Sequence, residues 1–293
     1  MKILVLGSKG QLGQCLSDQL AFSEHEVVYT SREQIDITDF EITKVQIFEI
    51  LPDVVINASA YTAVDKAEAE YQVADRINHL AVANISCICN QLNCWLIHVS
   101  TDYVFDGHSE VPYKEDNPVN PQSVYGDSKL KGEVAIEASG CKYLIIRTAW
   151  VYSEYGNNFL KTMLRLGADR DDLNVIGDQI GCPTYAQDIA KNIVFILSYL
   201  DLKRSSSGIY HFCGDESCSW YDFARAIFSE AKAYELKTPS YVKSITTDDY
   251  PTPAIRPAYS ILDCTKIENC FGVTRSNLRN GIKIVIDRLQ NEL

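Results

Sequence analysis

Tyr125 and Lys129 are the residues whose types and spacing best suit catalysis. They stand four residues apart at the start of a predicted helix that follows Pro118 and Pro121, so their side chains share one helix face. A carbonyl that accepts hydride develops negative charge on its oxygen and needs a proton donor at that moment. A phenol has an ordinary pKa of about 10, and a neighbouring ammonium favours its phenolate form. The pair therefore predicts acid catalysis at a carbonyl group.

A second hydroxyl group is predicted near this pair. Thr101 lies in the segment Ser100-Thr-Asp102, which follows a predicted strand at residues 95–99. Ligands of parallel α/β sheets bind beyond the carboxyl ends of the strands, so Thr101 is placed to hydrogen-bond a substrate carbonyl. His98 is flanked by aliphatic residues within the strand and is interpreted as a hydrogen-bonded core histidine.

Three glycines near the N terminus have the spacing of a phosphate-binding turn. Gly7, Gly10 and Gly13 lie between an apolar run at residues 3–6 and a segment, residues 11–20, whose leucines recur every four residues. Glycines here permit a tight turn, close approach of backbone N–H groups to a pyrophosphate, and close packing of helix on strand. The helix N terminus adds partial positive charge. The turn predicts a dinucleotide cofactor, although a purely structural turn would use the same glycines.

The residues after the second predicted strand bear on which dinucleotide binds. An acidic residue there favours the ribose hydroxyls of NAD, whereas an arginine accommodates the 2′-phosphate of NADP. Here the strand is followed by Ser31 and Arg32, although a solvated loop arginine would look the same. Asp36 and Ile37 are candidates for contact with the adenine. NADPH is therefore the predicted cofactor, with NADH as the alternative.

The elements that must position these groups alternate along the first half of the chain. Helical patterns separate apolar runs of strand length at residues 3–6, 26–30, 53–57, 95–99 and 143–147. Such strands predict a parallel sheet covered on both faces. With right-handed crossovers, the predicted fold class is α/β: a doubly wound, Rossmann-like parallel sheet with a smaller, interleaved substrate-binding lobe.

The second half is less regular. Its predicted elements are helices at residues 158–167, 188–200, 219–233 and 276–289, a strand at 208–212, and a proline-rich loop at 246–257. Ser219 is the predicted N-cap of the third of these helices. The strand at 208–212 is expected to return to the main sheet.

These elements predict two interleaved domains. The dinucleotide-binding Rossmann domain comprises residues 1–150 plus about 186–213. The substrate-binding lobe is discontinuous and comprises about 151–185 and 214–293.

Composition narrows the class of partner. The 293 residues carry a formal net charge of −12, which disfavours nucleic acid and anionic membranes as partners. The ten cysteines include no C-x-x-C pair and no cluster with zinc-like spacing, so we expect reduced thiols in a cytoplasmic protein. No apolar run has the length of a membrane span.

Longer motifs resemble the extended short-chain dehydrogenase/reductases and, more narrowly, the dTDP-4-dehydrorhamnose reductase family. Besides the glycine turn and the Tyr125–Lys129 pair, these motifs are residues 57–68, 100–107, 147–152, 156–159, 178–184 and 256–257. The resemblance covers nearly the whole chain. It implies reduction of the C4 ketone of dTDP-4-dehydro-6-deoxy-L-mannose to dTDP-L-rhamnose by hydride from NADPH or NADH.

The resemblance also implies roles for individual residues. Tyr125 would donate the proton, Lys129 would assist it and hold the nicotinamide ribose, and Thr101 would position the carbonyl. The matches to the family's cofactor-binding positions are Gly10, Gln11 and Leu12 in the pyrophosphate turn and Ala60, Tyr61 and Thr62 at a strand end. The matches to its sugar-nucleotide positions are Asp102 and Trp150.

Three polar residues complete the candidate substrate ligands. Asn158 and Gln179 lie within motifs of the resemblance, although at such loop positions these residue types are more often caps. Arg256 lies in the proline-rich loop, where a fixed backbone would present its guanidinium to a diphosphate.

The resemblance does not extend to a metal site. Some family members have magnesium at a dimer interface, bound by a glutamate just after the third glycine. Here that stretch is Gly13-Gln-Cys15, so neither the metal nor that dimer is predicted, while a homodimer of another kind is compatible with the sequence.

Two other functions are compatible with the same motifs. One is another nucleotide-sugar enzyme on this fold, such as an epimerase, a dehydratase or a reductase of other stereochemistry. Dehydration is disfavoured because Asp102 is followed by Tyr103 and not by a glutamate. The other is a non-catalytic regulatory subunit of a methionine adenosyltransferase, a relative that resembles the chain in the same motifs.

Overall fold

The apolar runs form strands that are buried on both faces of a central sheet. The computed structural model describes residues 1–201 and 207–291. Its strands are β1 (Lys2–Leu6), β2 (Glu26–Thr30), β3 (Val54–Asn57), β4 (Trp95–Thr101), β5 (Lys142–Thr148), β6 (Val151–Tyr152), β7 (Asp172–Ile176), β8 (Ile180–Gly181), β9 (Thr184–Tyr185), β10 (Gly208–His211), β11 (Cys218–Ser219) and β12 (Tyr241–Ile245). Strands β1 to β5 and β10 form one parallel sheet. The predicted α/β fold class is confirmed.

Helices cover both faces of this sheet. They are α1 (Gln11–Leu20), α2 (Phe40–Ile50), α3 (Val64–Ala67), α4 (Tyr71–Asp75), α5 (Ala81–Leu92), α6 (Val124–Ser139), α7 (Phe159–Asp169), α8 (Ala186–Asp201), α9 (Trp220–Ala233), α10 (Thr265–Phe271) and α11 (Leu278–Asn291). A π-helical turn, Arg76–Leu80, joins α4 to α5. Alternate residues of β1 point to opposite faces: Ile3 and Val5 pack in the core with α1 and α8, whereas Leu4 and Leu6 pack with α2, α5 and α6.

The strand order places a crevice at the carboxyl edge of the sheet. The spatial order is β2-β1-β3-β4-β5-β10, so the chain runs outward from β1 to β2 and then crosses to β3 on the other side of β1. The loops after β1 and β3 therefore diverge, which opens a ligand-binding crevice between them.

Close packing shapes the glycine turn in this crevice. A Cβ atom on Gly13 would lie 2.2 Å from the carbonyl oxygen of Gly7, so α1 packs directly against the turn. Gly7 has a φ of +80°, and a Cβ there would lie 2.7 Å from Oγ of Ser59 in the loop after β3. The turn can therefore pack this closely only because residues 7 and 13 are glycines.

The second lobe is built from short elements. Helices α7, α9 and α11 pack around a common core, and β7 pairs with β12. Ser219 caps α9 as predicted, in a capping box with Asp222. The sequence prediction missed β6, β8, β9 and β11, because strands of two residues have no detectable periodicity. It also missed β7, β12 and α10. The loop at residues 246–257 is confirmed.

The chain returns to the main sheet through α8 and β10. Strand β10 pairs in parallel with β5, as predicted. Residues 202–206 of this returning segment and residues 292–293 of the predicted lobe lie outside the described residues. Every helix within the described parts of the chain is too short or too polar to cross a membrane.

We predict that Gly13→Ala destabilises the protein by roughly 1–3 kcal/mol, because the added methyl group cannot be accommodated between α1 and Gly7. Urea denaturation of wild type and variant measures the change. Gly208→Ala is the matched control, since its Cβ would meet Tyr210 at an ordinary 3.5 Å. Equal stabilities for the two variants would contradict the packing argument.

Candidate active site

The first turn of α6 fixes Tyr125. The side chain of Ser123 caps the helix by accepting a hydrogen bond from the backbone N–H of Gly126. Gly126 is pressed against the segment after β4, where its Cβ would lie 2.3 Å from the carbonyl oxygen of Tyr103. The Tyr125 ring meets the Tyr103 ring edge to face, with centroids 5.5 Å apart. The Thr101 hydroxyl lies within reach of Tyr125, since it is among the groups that shift the Tyr125 pKa. The structure thus brings two of the predicted catalytic residues together.

Burial keeps Tyr125 in its phenol form. Desolvation raises the pKa of Tyr125 well above its ordinary value, while the Thr101 hydroxyl opposes the shift and the charge of Asp102 adds to it. Tyr125 is therefore protonated throughout the neutral range and is available as a proton donor.

Lys129 lies one turn further along α6, and its side chain is almost entirely buried, with 1% relative exposure. Its Nζ donates to the carbonyl oxygen of Val99 at 2.7 Å and lies 3.1 Å from Nε2 of His98. Burial lowers the pKa of Lys129 to about 8, and the charge of Glu133 opposes this shift. Glu133 is itself paired with the buried guanidinium of Arg147 at 2.7 Å.

The end of β4 presents a buried carboxyl group beside Thr101. The Thr101 hydroxyl donates to Oδ1 of Asp102 at 3.0 Å. Ser260 lies close enough to lower the pKa of Asp102, but the Ser260 hydroxyl donates to the carbonyl oxygen of Ile180. Among the described residues, Oδ2 of Asp102 therefore has no hydrogen-bond partner. Burial raises the pKa of Asp102 to about 6. A buried acceptor without a partner is suited to bind a hydroxyl group of a ligand.

A groove of about 250 Å³ occupies the crevice between β1 and β3. Seven residues predicted to contact the cofactor line it: Gly7, Gly10, Ser31, Arg32, Asp36, Ile37 and Ala60. The groove also includes residues that the sequence analysis missed: Lys9, Ile35, Thr38, Ala58, Ser59 and Ile77. The position of Lys9 within the glycine turn was the signal that could have identified it.

Two cations lie at the end of the groove beside β2. Nζ of Lys9 is 3.1 Å from Glu33, whose carboxylate also accepts from the Ser31 hydroxyl. These two hydrogen bonds lower the pKa of Glu33 to about 2, and the bond from Ser31 has the larger effect. Arg32 pairs with Asp36 at 3.5 Å. Both pairs are largely exposed, so their interactions are weak and a phosphate can compete for the cations.

Of the residues predicted to contact the cofactor, Tyr125 and Lys129 lie outside this groove on α6, and five others do not line it either. Leu12 packs against the core, Gly13 fits against Gly7, and Thr62 is exposed. Gln11 begins α1, but its Oε1 accepts hydrogen bonds from Ser153 and Asn158 in the second lobe.

The fifth of these residues, Tyr61, donates its hydroxyl hydrogen to Glu70 at 2.7 Å. The amide side chain of Asn78 bonds to both its backbone N–H and its carbonyl oxygen. The side chains of Gln11 and Tyr61 thus make hydrogen bonds within the protein's own structure.

The second lobe contributes an aromatic surface around Trp150. Trp150 has a left-handed φ of 48°, and its ring stacks on Trp220 with centroids 3.5 Å apart and planes 5° from parallel. Phe159 lies 4.6 Å from the Trp220 ring. A non-glycine residue in this conformation is strained, and such strain is concentrated at functional sites. The sequence analysis missed Trp220 and Phe159, since nothing in their spacing relates them to Trp150.

Two of the predicted substrate ligands hold the lobe together. Gln179 is buried, accepting from Nε1 of Trp220 at 3.2 Å and donating to Thr247. Asn158 is the N-cap of α7, where its Oδ1 accepts from the backbone N–H of Lys161.

Arg256 links the proline-rich loop to Asp65 and Tyr103. Its Nη2 pairs with Oδ2 of Asp65 at 2.7 Å, and its Nη1 donates to the Tyr103 hydroxyl at 3.4 Å. The Tyr103 ring therefore lies between the Arg256 guanidinium and Tyr125.

Comparison with known proteins places the chain in a family. The family model described as the RmlD substrate binding domain matches residues 1–291. The dTDP-4-dehydrorhamnose reductase of Aggregatibacter actinomycetemcomitans is 44% identical over 285 residues, which cover 96% of this chain and 97% of the relative.

Solved structures agree with this assignment. A dTDP-4-dehydrorhamnose reductase from Clostridium acetobutylicum is 40% identical with a TM-score of 0.92, and the match covers 99% of this chain and 100% of that one. The enzyme of the same name from Bacillus anthracis, in complex with NADP, is 34% identical with a TM-score of 0.88, and the match covers 100% and 99%. The chain therefore belongs to the dTDP-4-dehydrorhamnose reductase family.

Proposed function

We propose that this protein reduces the C4 ketone of dTDP-4-dehydro-6-deoxy-L-mannose to dTDP-L-rhamnose with NADPH. The observation that carries the proposal is the pairing of Tyr125, held as a phenol, with Thr101 at the carboxyl end of β4. The relatives named above are reductases of this kind. None of the observed contacts favours an epimerase or a regulatory subunit.

The groove fits a dinucleotide. The N–H groups of Gly7, Ser8 and Gly10 already donate to carbonyl oxygens, so the N–H groups of the first turn of α1 are those that would approach a pyrophosphate. Lys9 and Arg32 would hold a 2′-phosphate at the end of the groove, and Asp36 and Ile37 would lie beside the adenine. When bound, NADPH supplies the hydride; NADH would fit the same groove without using the two cations.

Thr101 and Tyr125 would act on the carbonyl oxygen, and Lys129 would act on Tyr125. A carbonyl oxygen placed between the two hydroxyls would accept from Tyr125 and, once the Thr101 hydroxyl turns from Oδ1 of Asp102, from Thr101 as well. As negative charge develops on that oxygen, Tyr125 transfers its proton to it. Lys129, fixed by the carbonyl of Val99, lies one helical turn away and stabilises the phenolate that remains.

The substrate would bind on the side of the second lobe. The unpartnered Oδ2 of Asp102 supports a role as acceptor for a sugar hydroxyl, and the aromatic surface of Trp150 supports contact with the sugar nucleotide. Arg256 would exchange Asp65 for the diphosphate. Asn158 and Gln179 would act indirectly, because their side chains already support α7 and Trp220.

This assignment implies a division of labour along the chain. Residues 1–150 with about 186–213 would bind the cofactor, and about 151–185 with 214–293 would bind the sugar nucleotide. The cysteines of the described chain are free thiols, which supports the proposal of a reducing, cytoplasmic location.

We expect Tyr125→Phe to lower kcat by about 10²–10⁴-fold, because the proton donor is lost while the ring packing is kept. NADPH oxidation with the dTDP-4-keto sugar measures turnover, and quenching of tryptophan fluorescence checks that the cofactor still binds. Tyr143→Phe at the opposite end of β5 is the control. Undiminished turnover in Tyr125→Phe would exclude the proposed role.

Asp102→Asn should stabilise the protein at neutral pH and reduce turnover. The pKa of Asp102 is raised in the folded state, so its ionisation costs stability as the pH rises from about 4 to 6 and above. We expect the variant to gain about 3 kcal/mol over wild type at pH 7.5 and little at pH 4. Urea denaturation at both pH values tests this; the same difference at both would refute it.

Arg32→Ala should raise KM for NADPH about tenfold and leave KM for NADH nearly unchanged, since only NADPH carries a 2′-phosphate for Arg32 to pair with. Initial rates with the two cofactors measure the ratio. An equal rise in KM for both cofactors would show that Arg32 does not bind the 2′-phosphate.

A further inference from the structure

A chain of buried polar groups leads from the loop after β3 to Lys129. The backbone N–H of Ser59 donates to Oδ1 of Asn57 at 3.0 Å, and Nδ2 of Asn57 lies 3.2 Å from Nδ1 of His98. On the other side of the ring, Nε2 of His98 lies 3.1 Å from Nζ of Lys129. Lys129 in turn donates to Val99. Asn57, His98 and Lys129 are each at most 1% exposed.

The donors and acceptors in this chain can be assigned in only one consistent way. Since Oδ1 of Asn57 accepts from a backbone N–H, its Nδ2 must face His98 as a donor. Nδ1 of His98 is then the acceptor, and in a neutral imidazole the proton is on Nε2. That N–H points at Nζ of Lys129, which can accept it only as an uncharged amine.

We propose that Asn57 and His98 are positioning residues for Lys129: Asn57 locks the imidazole as its Nε2–H tautomer, and His98 then donates to the Lys129 amine, which sets the position of Nζ and favours its uncharged form over the ammonium. The inference rests on the proposed function only where turnover is measured.

The surroundings of Lys129 also bias it toward the uncharged amine. Burial and, to a smaller extent, the charge of the Lys129 ammonium lower the pKa of His98 well below its ordinary value, so the imidazole is neutral. Burial also lowers the pKa of Lys129 to about 8, and an N–H donor directed at Nζ disfavours the ammonium further. The charge that opposes this is Glu133 on α6, which is already neutralised by Arg147 of β5.

A second buried histidine provides an internal contrast. Nδ1 of His211 lies 3.0 Å from the carbonyl oxygen of Tyr113, which can only accept, so His211 must carry its proton on Nδ1. Its Nε2 faces the guanidinium of Arg147 at 3.5 Å. Burial and the charge of Arg147 lower the pKa of His211 to about 3. The two buried histidines are therefore expected to be opposite tautomers.

Nitrogen NMR of the protein labelled with ¹⁵N-histidine tests the tautomers without substrate or cofactor. We expect His98 to be protonated on Nε2 and His211 on Nδ1, with neither titrating between pH 5 and 9. Loss of one signal set in His98→Gln assigns the resonances. An Nδ1–H tautomer for His98, or its titration in this range, would overturn the proposal.

Asn57→Asp reverses the polarity of the chain with almost no change in volume. The new carboxylate accepts from Nδ1–H of His98, so Nε2 becomes an acceptor and the ammonium form of Lys129 is favoured. The reaction needs that ammonium to stabilise the Tyr125 phenolate, so activity is lost as the pH rises through the pKa of Lys129. We expect the alkaline limb of the kcat profile to shift upward by about one pH unit or more in Asn57→Asp.

Two substitutions of His98 distinguish the effect of its N–H donor from the effect of its side-chain volume. His98→Leu has no donor and should shift the alkaline limb upward, whereas His98→Gln presents an amide N–H to Lys129 and should restore the wild-type limb. His211→Gln, a change at the other buried histidine, should leave the limb in place. Identical alkaline limbs in wild type, Asn57→Asp and His98→Leu would overturn the proposal. Absence of turnover in wild type would instead reject the reductase function and leave the NMR result decisive for the tautomer.

Discussion

Exclusion of water at the carboxyl end of β4 is the constraint on which the site depends. Burial moves three titratable groups there toward their uncharged forms: the pKa of Tyr125 rises well above its ordinary value, that of Asp102 rises to about 6, and that of Lys129 falls to about 8. The charges needed for the reaction are therefore costly in the resting protein and are stabilised only by specific neighbours. This makes the protonation states sensitive to single hydrogen bonds.

Hydrogen bonds link the loop after β3, which contains Tyr61, to helix α6, which contains Tyr125 and Lys129. Asn78, in the π-helical turn before α5, bonds the backbone of Tyr61 and donates to the hydroxyl of Ser128 on α6. The turn also lies so close to α6 that a Cβ on Gly132 would be 2.2 Å from the carbonyl oxygen of Asn78. A displacement of either element would therefore be transmitted to the other, because both are buried against the same residue.

The two lobes meet through polar contacts that differ in strength. Gln11 accepts from Ser153 and from Asn158, which links the start of α1 to the start of α7. Across the active site, the partly exposed pair of Arg256 and Asp65 links the proline-rich loop to α3. Ion pairs open to solvent contribute little net stability, so this second contact adds less to the link between the two segments than a buried pair would.

Local patterns in the sequence determined the parallel sheet, the glycine turn after β1, the cap of α9 and the shared helix face of Tyr125 and Lys129, because each depends on neighbours only a few residues apart. Tertiary structure alone decided the stack of Trp150 on Trp220 and the contact of His98 with Lys129. These contacts join residues far apart in the chain, and their geometry depends on how whole elements pack. His98 shows the difference: its pattern correctly indicated a buried, hydrogen-bonded histidine, but the identity of its partner follows only from the position of α6 over β4.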